Sequence, residues 1–287
     1  MIRPASFGYN TETALTNSFQ HYEDDSEAQN ALIEFDNMVQ QLQQNGIEVT
    51  VIQDSNEPKK PDAIFPNNWF STHAEGTCIL YPMLHLNRRI EKRADIIQQV
   101  CKSSKKIIDL SYLENQNLYL EGTGSLVLDH EFKIAYAVIS PRTSVEALTI
   151  FEAKTGYKVV SFSAFDRAQQ PIYHTNVVMA LSPTIIVICL EVIPKNEQEI
   201  LLQAFAQSKK EVIEISLQQL ENFAGNMLCL RNTQNINVLV MSLTAFDSLN
   251  VAQLNALKKH HRILTIPIPT IEKIGGGSVR CMMAELF

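Results

Sequence analysis

Short apolar runs, each opening on a polar or small residue, recur along the chain at a steady interval. They cover 65–70, 120–128, 173–181 and 223–230, and a fifth surrounds the cysteine near the C-terminus. With Asn68, Glu121, His174, Asn226 and Cys281 as markers, the spacing is about 53 residues, the scale of a repeated supersecondary unit. A second strand-like run follows the markers at 134–139, 184–190 and 238–242, then a helical stretch, then a third strand at 211–215 and 262–266. Thr143-Ser144-Val145-Glu146 offers a capping box for a helix that runs through Thr155 and stops at Gly156. Residues 196–208 and 245–260 also carry helical spacing. Each unit therefore reads strand, strand, helix, strand. Five such units closed into a ring would set the markers around one axis. No linker or low-complexity tract divides 1–287, so the sequence predicts a single domain.

Composition narrows the function. An apolar content of 45% across 287 residues supports a large core, and a formal charge of -7 argues against nucleic-acid binding. No apolar stretch is long enough to span a bilayer, and the first residues lack the apolar core of a signal peptide. Five cysteines, odd in number, scattered and without a CxxC pair, predict neither a disulfide framework nor a zinc site. These features together predict a soluble, reduced, cytoplasmic protein. His73 and His85 flank Cys78 without finger-like spacing, and Gly275-Gly276-Gly277-Ser278 lacks the lysine of a phosphate loop. Neither a metal nor a nucleotide is therefore expected, and no cofactor is needed.

Cys281 follows that glycine run and is a candidate nucleophile, because glycines let the backbone bend and approach another object closely. Further segments stand out in order: Arg3-Pro4 with Phe7-Gly8-Tyr9-Asn10-Thr11-Glu12-Thr13-Ala14, then Pro61-Asp62-Ala63-Ile64-Phe65-Pro66-Asn67-Asn68-Trp69. Glu121-Gly122-Thr123-Gly124, Ser140-Pro141-Arg142-Thr143 and Tyr173-His174-Thr175-Asn176 follow. In order and spacing the chain resembles the guanidino-group-modifying enzymes along nearly its whole length. Among them it is most similar to the citrulline ureidase, or citrulline-utilisation hydrolase, branch. The resemblance implies an α/β fold, a five-bladed αβ-propeller (pentein) with pseudo-fivefold ββαβ repeats.

It also implies roles. Cys281 is the nucleophile, His174 the general base and acid, and Glu121 the carboxylate that orients the imidazole. Arg88 and Arg142 would clamp a substrate α-carboxylate, with Arg89 an alternative to Arg88, and Asp62 would take the α-ammonium. Arginine deiminases grip a cationic guanidinium with carboxylates at two positions that here are Asn68 and Asn176. Asn67 lies beside the first and joins the substrate-binding set. An uncharged ureido group suits amides, because a buried carboxylate facing it would be an uncompensated charge.

The reading is a cysteine-dependent C–N hydrolase that releases ornithine, ammonia and carbon dioxide from free citrulline, with His174 expected to be protonated beside the thiol. Two alternatives stand: an arginine deiminase or dimethylarginine dimethylaminohydrolase, and a non-catalytic propeller of the same fold. Asn226 is read as structural, and 10–17 as a lid. The partner is a small molecule, without nucleic acid or membrane, and homo-oligomerisation stays open.

Overall fold

The computed structural model describes residues 1–22 and 28–287. Near the N-terminus a short parallel pair, β1 (Ile2–Arg3) and β2 (Ile52–Gln53), is joined through a helix at Ala28–Gln44. Ala31, Phe35, Met38 and Leu42 lie on one face of that helix and are almost wholly buried. Burying each of the larger three contributes about 1.5–3 kcal/mol. Their i, i+4, i+7, i+11 spacing was a legible helix signal.

Four three-stranded sheets follow, all with one topology: β3 (Phe70–His73), β4 (Thr77–Leu80) and β5 (Lys106–Asp109); β6 (Val127–Asp129), β7 (Ile134–Val138) and β8 (Lys158–Phe162); β9 (Met179–Leu181), β10 (Ile185–Ile188) and β11 (Glu211–Glu214); β12 (Leu228–Arg231), β13 (Asn237–Ser242) and β14 (Arg262–Ile266). In each, the second strand is central, antiparallel to the first and parallel to the third. A parallel partner requires a crossover, and helical segments supply it in every unit. β1, its helix and β2 repeat the second-strand, helix, third-strand part of the same unit. The C-terminal segment lies beside them, Ala284 packing in one cluster with Ile2 and Ile52, and it also reaches β3, where Thr72 Oγ1 donates to Glu285 O at 2.9 Å and accepts from Phe287 N at 3.0 Å.

The structure amends the sequence reading in four places. The marker residues do not open strands directly: Glu121 and His174 cap one-turn helices at Gly122–Ser125 and Thr175–Val178, and Asn68 ends a 3-10 turn at Pro66–Asn68. Ser144 does precede a helix, Val145–Thr155, closed by Gly156 at φ 74°. Its hydroxyl forms no capping box, however, because it accepts from Tyr119 N at 2.9 Å. The helical stretch at 245–260 breaks at Leu249. Asn250 starts a second helix, Val251–His260, through a reciprocal capping box with Gln253. Finally, Cys78 and Cys101 form a disulfide, against the expectation of five reduced cysteines. The crossover from β4 through the helix at Ala94–Val100 folds the chain back on itself, so that Cα atoms 23 residues apart come within 5.7 Å. Spacing alone could not show this.

Among the described residues no helix is long and apolar enough to cross a membrane.

Candidate active site

The turns that precede the first strands converge on one buried cavity. Thr13, Asn17, Asp62, Phe65, Asn68, Arg88, Arg142, Tyr173, His174, Gly275–Gly277 and Cys281 line it. It holds about 20 Å³, room for little more than one water. A larger hollow of about 800 Å³ lies between Ser216 and Pro269, but no cysteine, histidine or arginine lines it.

Close backbone approach builds the wall. Gly122 has φ +47°, and a Cβ there would lie 2.3 Å from Asn67 O. Only glycine lets the Glu121 turn seat against the Asn67–Asn68 turn. Glu121, fully buried, accepts from Leu84 N at 3.1 Å through Oε1. Its Oε2 sits 2.9 Å from His174 Nε2 and 3.6 Å from Arg142 Nη1. Burial raises the Glu121 pKa, but Arg142, the His174 hydrogen bond and Arg88 outweigh it, so the carboxyl is held well below its usual range. An ionised Glu121 fixes Nε2 as the protonated nitrogen of His174 and leaves Nδ1 as the base.

Burial pushes the His174 pKa down to about 4, with Arg142 and Arg88 acting in the same direction against Glu121. This direction favours the neutral imidazole and runs against the expectation of a protonated His174 paired with the thiol. No hydrogen bond joins it to Cys281 among the described residues. Instead Cys281 Sγ accepts from Asn176 Nδ2 at 3.4 Å and Asn226 Nδ2 at 3.3 Å. If neutral His174 is the working base, the acid limb of kcat/KM should fall near pH 4, not near the ordinary 6.5. A pH–rate profile checks this. The same depressed value means that an unfolded chain takes the proton first. Stability should therefore decline as pH falls from 6.5 towards 4.

The arginines are more committed than the sequence suggested. Arg88 Nε and Nη2 each donate to Glu91 at 2.9 Å, and Nη1 donates to Asn68 Oδ1 at 2.6 Å. Nη2 also reaches the carbonyls of Phe65 and Asp62 at 3.2 and 3.4 Å. One Nη1 hydrogen remains, too few for the two-bond carboxylate grip expected of Arg88. Arg89 donates to the Met83 and Leu84 carbonyls and does not line the cavity. Arg142 lies over the Tyr173 ring and donates to Thr13 O and Thr16 Oγ1.

Asp62 Oδ2 accepts from Asn10 at 2.7 Å and Thr13 at 3.0 Å, while its buried Oδ1 has no hydrogen-bond partner among the described residues. Asn68 lines the cavity and donates to Asn67 Oδ1 at 3.0 Å. Asn67 is fully buried behind it. Asn176 also stays off the cavity wall, and its Oδ1 has no hydrogen-bond partner among the described residues. Sequence reasoning passed over Thr13, Asn17 and Tyr173 as lining residues. Asn17 Nδ2 and Tyr173 Oη both donate to Gly276 O, at 3.2 and 2.6 Å. Their signal was the polar 10–17 stretch and the residue before His174. Among the described residues no cluster of histidine, cysteine and carboxylate groups could hold a metal ion.

A thiol and a carboxylate-bound imidazole, set by repeated ββαβ units on the wall of one small cavity, are the equipment of the pentein C–N hydrolases. That class includes the guanidino-group-modifying enzymes. Residues 3–287 match the family described as "N,N dimethylarginine dimethylhydrolase, eukaryotic", and the chain belongs to it.

Solved structures share the fold. The N-terminal domain of ArgZ, an arginine dihydrolase from cyanobacteria, bound to product, has a TM-score of 0.77 at 16% identity over 100% of this chain and 96% of that one. A mutant of the dimethylarginine enzyme from Pseudomonas aeruginosa complexed with citrulline gives 0.67 at 17%, over 98% and 95%. AgrE bound to ornithine and NAD+ gives 0.76 at 17%, with this chain covering 38% of it. No curated protein sequence matches the chain.

Proposed function

We propose that the protein hydrolyses the ureido group of free citrulline to ornithine, ammonia and carbon dioxide, and that its five units close into a five-bladed propeller around the cavity. The observation that carries the substrate is the amide character of the catalytic end. Asn68 lines the cavity and Asn176 and Asn226 contact the sulfur, Glu121 is already paired with His174 and Arg142, and Asp62, the carboxylate on the wall, is assigned to the α-ammonium. With Asp62 holding the α-ammonium, a guanidinium beside the amides would lack a counter-charge of its own, whereas a neutral ureido group needs none.

At the other end, the unpartnered Asp62 Oδ1 takes the α-ammonium, and Arg142 takes the α-carboxylate in exchange for Thr13 O and Thr16 Oγ1. Admitting an amino acid into so small a cavity requires the 10–17 segment to move, as a lid would. Cys281 gives its proton to His174 Nδ1 and attacks the ureido carbon. The tetrahedral adduct collapses as His174 protonates the departing nitrogen, breaking the C–N bond. Water, deprotonated by His174, then cleaves the carbonyl fragment from sulfur. One water is consumed overall for one ornithine, one ammonia and one carbon dioxide.

A second reading, hydrolysis of a guanidino group of arginine or methylated arginine, is favoured by the family description and by the activity named for ArgZ. Asn68→Asp separates the two. It adds a charge that citrulline cannot balance and sets an acceptor against Asn67 Oδ1. We expect kcat/KM for citrulline to drop about 100-fold, with the citrulline-to-arginine preference shifting towards arginine. Unchanged or improved citrulline turnover contradicts the neutral pocket.

A further inference from the structure

The sulfur of Cys281 is buried, and among the described residues no charged donor hydrogen-bonds to it. His174 Nε2 is bonded to Glu121, and the neighbouring Arg280 donates its Nη1 to Met283 O at 3.1 Å. Two neutral amides make the polar contacts instead, and Asn226 is tied into the site at every polar atom. Its Oδ1 accepts from Arg280 N at 3.0 Å, while Nδ2 is shared between Asn176 O at 2.9 Å and Sγ at 3.3 Å. Asn226 is 0% exposed and Asn176 1% exposed, so neither amide trades these contacts for water. The Asn176 Oδ1 atom has no hydrogen-bond partner among the described residues. The side chain is therefore oriented by what its nitrogen does, and its nitrogen donates to sulfur.

We infer that Asn226 and Asn176 form a two-donor amide clamp that stabilises the thiolate of Cys281, which makes Asn226 a catalytic residue. Proton loss from the thiol, to His174 Nδ1 in the catalytic cycle, places a full charge on Sγ. A hydrogen bond to an ionised group is about twice as strong as one between neutral groups. The clamp therefore favours the ionised form over the thiol through the two amides, without a hydrogen bond from Arg280, the cation next in sequence. It also explains why a site with a neutral histidine can still present a nucleophile. The same clamp suits a neutral substrate, which brings no positive charge to help ionise the sulfur. The inference rests on Cys281 being the nucleophile but not on which substrate is hydrolysed.

The test reads the sulfur directly, without substrate. The full-length protein and its variants are treated with iodoacetamide at pH 7, and the rate is followed on the Cys281 peptide by mass spectrometry. Thiolate absorbance is read as the difference from Cys281→Ser. Asn176→Ala removes one sulfur donor and no other side-chain hydrogen bond. Asn226→Asp keeps the acceptor for Arg280 N but turns an anion towards Sγ. Asn226→Ala removes both functions.

The clamp predicts that alkylation and thiolate signal fall about 10-fold or more in Asn176→Ala, and that Asn226→Asp is at least as impaired as Asn226→Ala. A purely structural Asn226 predicts the opposite order, with Asp preserving the Arg280 contact and the reactivity. Wild-type alkylation in Asn176→Ala, or Asn226→Asp reacting faster than Asn226→Ala, overturns the proposal. Should the Asn226 variants fail to fold, Asn176→Ala decides alone. If reactivity falls as predicted but citrulline is not a substrate, the clamp stands and the substrate reading fails.

Discussion

Cys281→Ser should lower turnover by on the order of 10⁴-fold or more while leaving the fold in place. An alcohol is a far weaker acid than a thiol, and the base on hand is weak. Burial holds His174 near 4, so it cannot draw a proton from serine at a useful rate. The two amides that contact sulfur at 3.3 and 3.4 Å would also stand farther than is usual for an oxygen acceptor. Little else changes, because the exchange conserves shape at a buried position and the backbone bond from Cys281 N to Ser278 O remains. Thermal unfolding within a few degrees of the parent, together with lost turnover, identifies a chemical role. Retained turnover would remove Cys281 from the reaction.

The second large effect comes from one methyl group. A Cβ on Gly124 would lie 2.6 Å from Asn68 Nδ2 and 2.7 Å from both Cε1 and Nδ1 of His174. Real Cβ atoms do not come that close to other heavy atoms, so the imidazole, the amide or the turn between them must shift. His174 is anchored through Glu121 and cannot rotate away without breaking a buried charge-assisted bond. A displacement approaching 1 Å costs about 100-fold in rate, and overpacking costs about 1–3 kcal/mol in stability. Gly124→Ala should therefore lose about 100-fold or more in kcat while still folding. Steady-state kinetics beside thermal denaturation measure both. Full activity would mean that His174 and Asn68 can move without consequence for the reaction.

Much of this was written in the sequence because the repeat is nearly regular. The spacing of Asn68, Glu121, His174, Asn226 and Cys281 follows from units of similar length. A unit with a parallel third strand needs a helix of similar size in each copy. The helix ended by Gly156 and the strand at 262–266 could be read directly. The pattern lost force at the N-terminus, where β1, its helix and β2 form only a two-stranded pair, far in sequence from the C-terminal segment beside them. Polar contacts made across the fold were also invisible. The sequence could not show that Arg88 is satisfied by Glu91 and Asn68, or that Ser144 serves Tyr119 instead of its own helix. Nor could it show that the Asn176 nitrogen meets sulfur, or that Asn226 stands beside it. Such partners depend on angles within turns, which residue type does not specify. Cys78 and Cys101 belong to the same category.

The central claim concerns the charge of the group that the cavity accepts, and product analysis reads it most directly. Purified protein is given citrulline, arginine and dimethylarginine in separate reactions, and ornithine, citrulline and ammonia are quantified. The amide-lined cavity predicts ornithine and ammonia in equal amounts from citrulline, with the two guanidino compounds turned over far more slowly or not at all. Citrulline accumulating from arginine or dimethylarginine while added citrulline stays intact would contradict it.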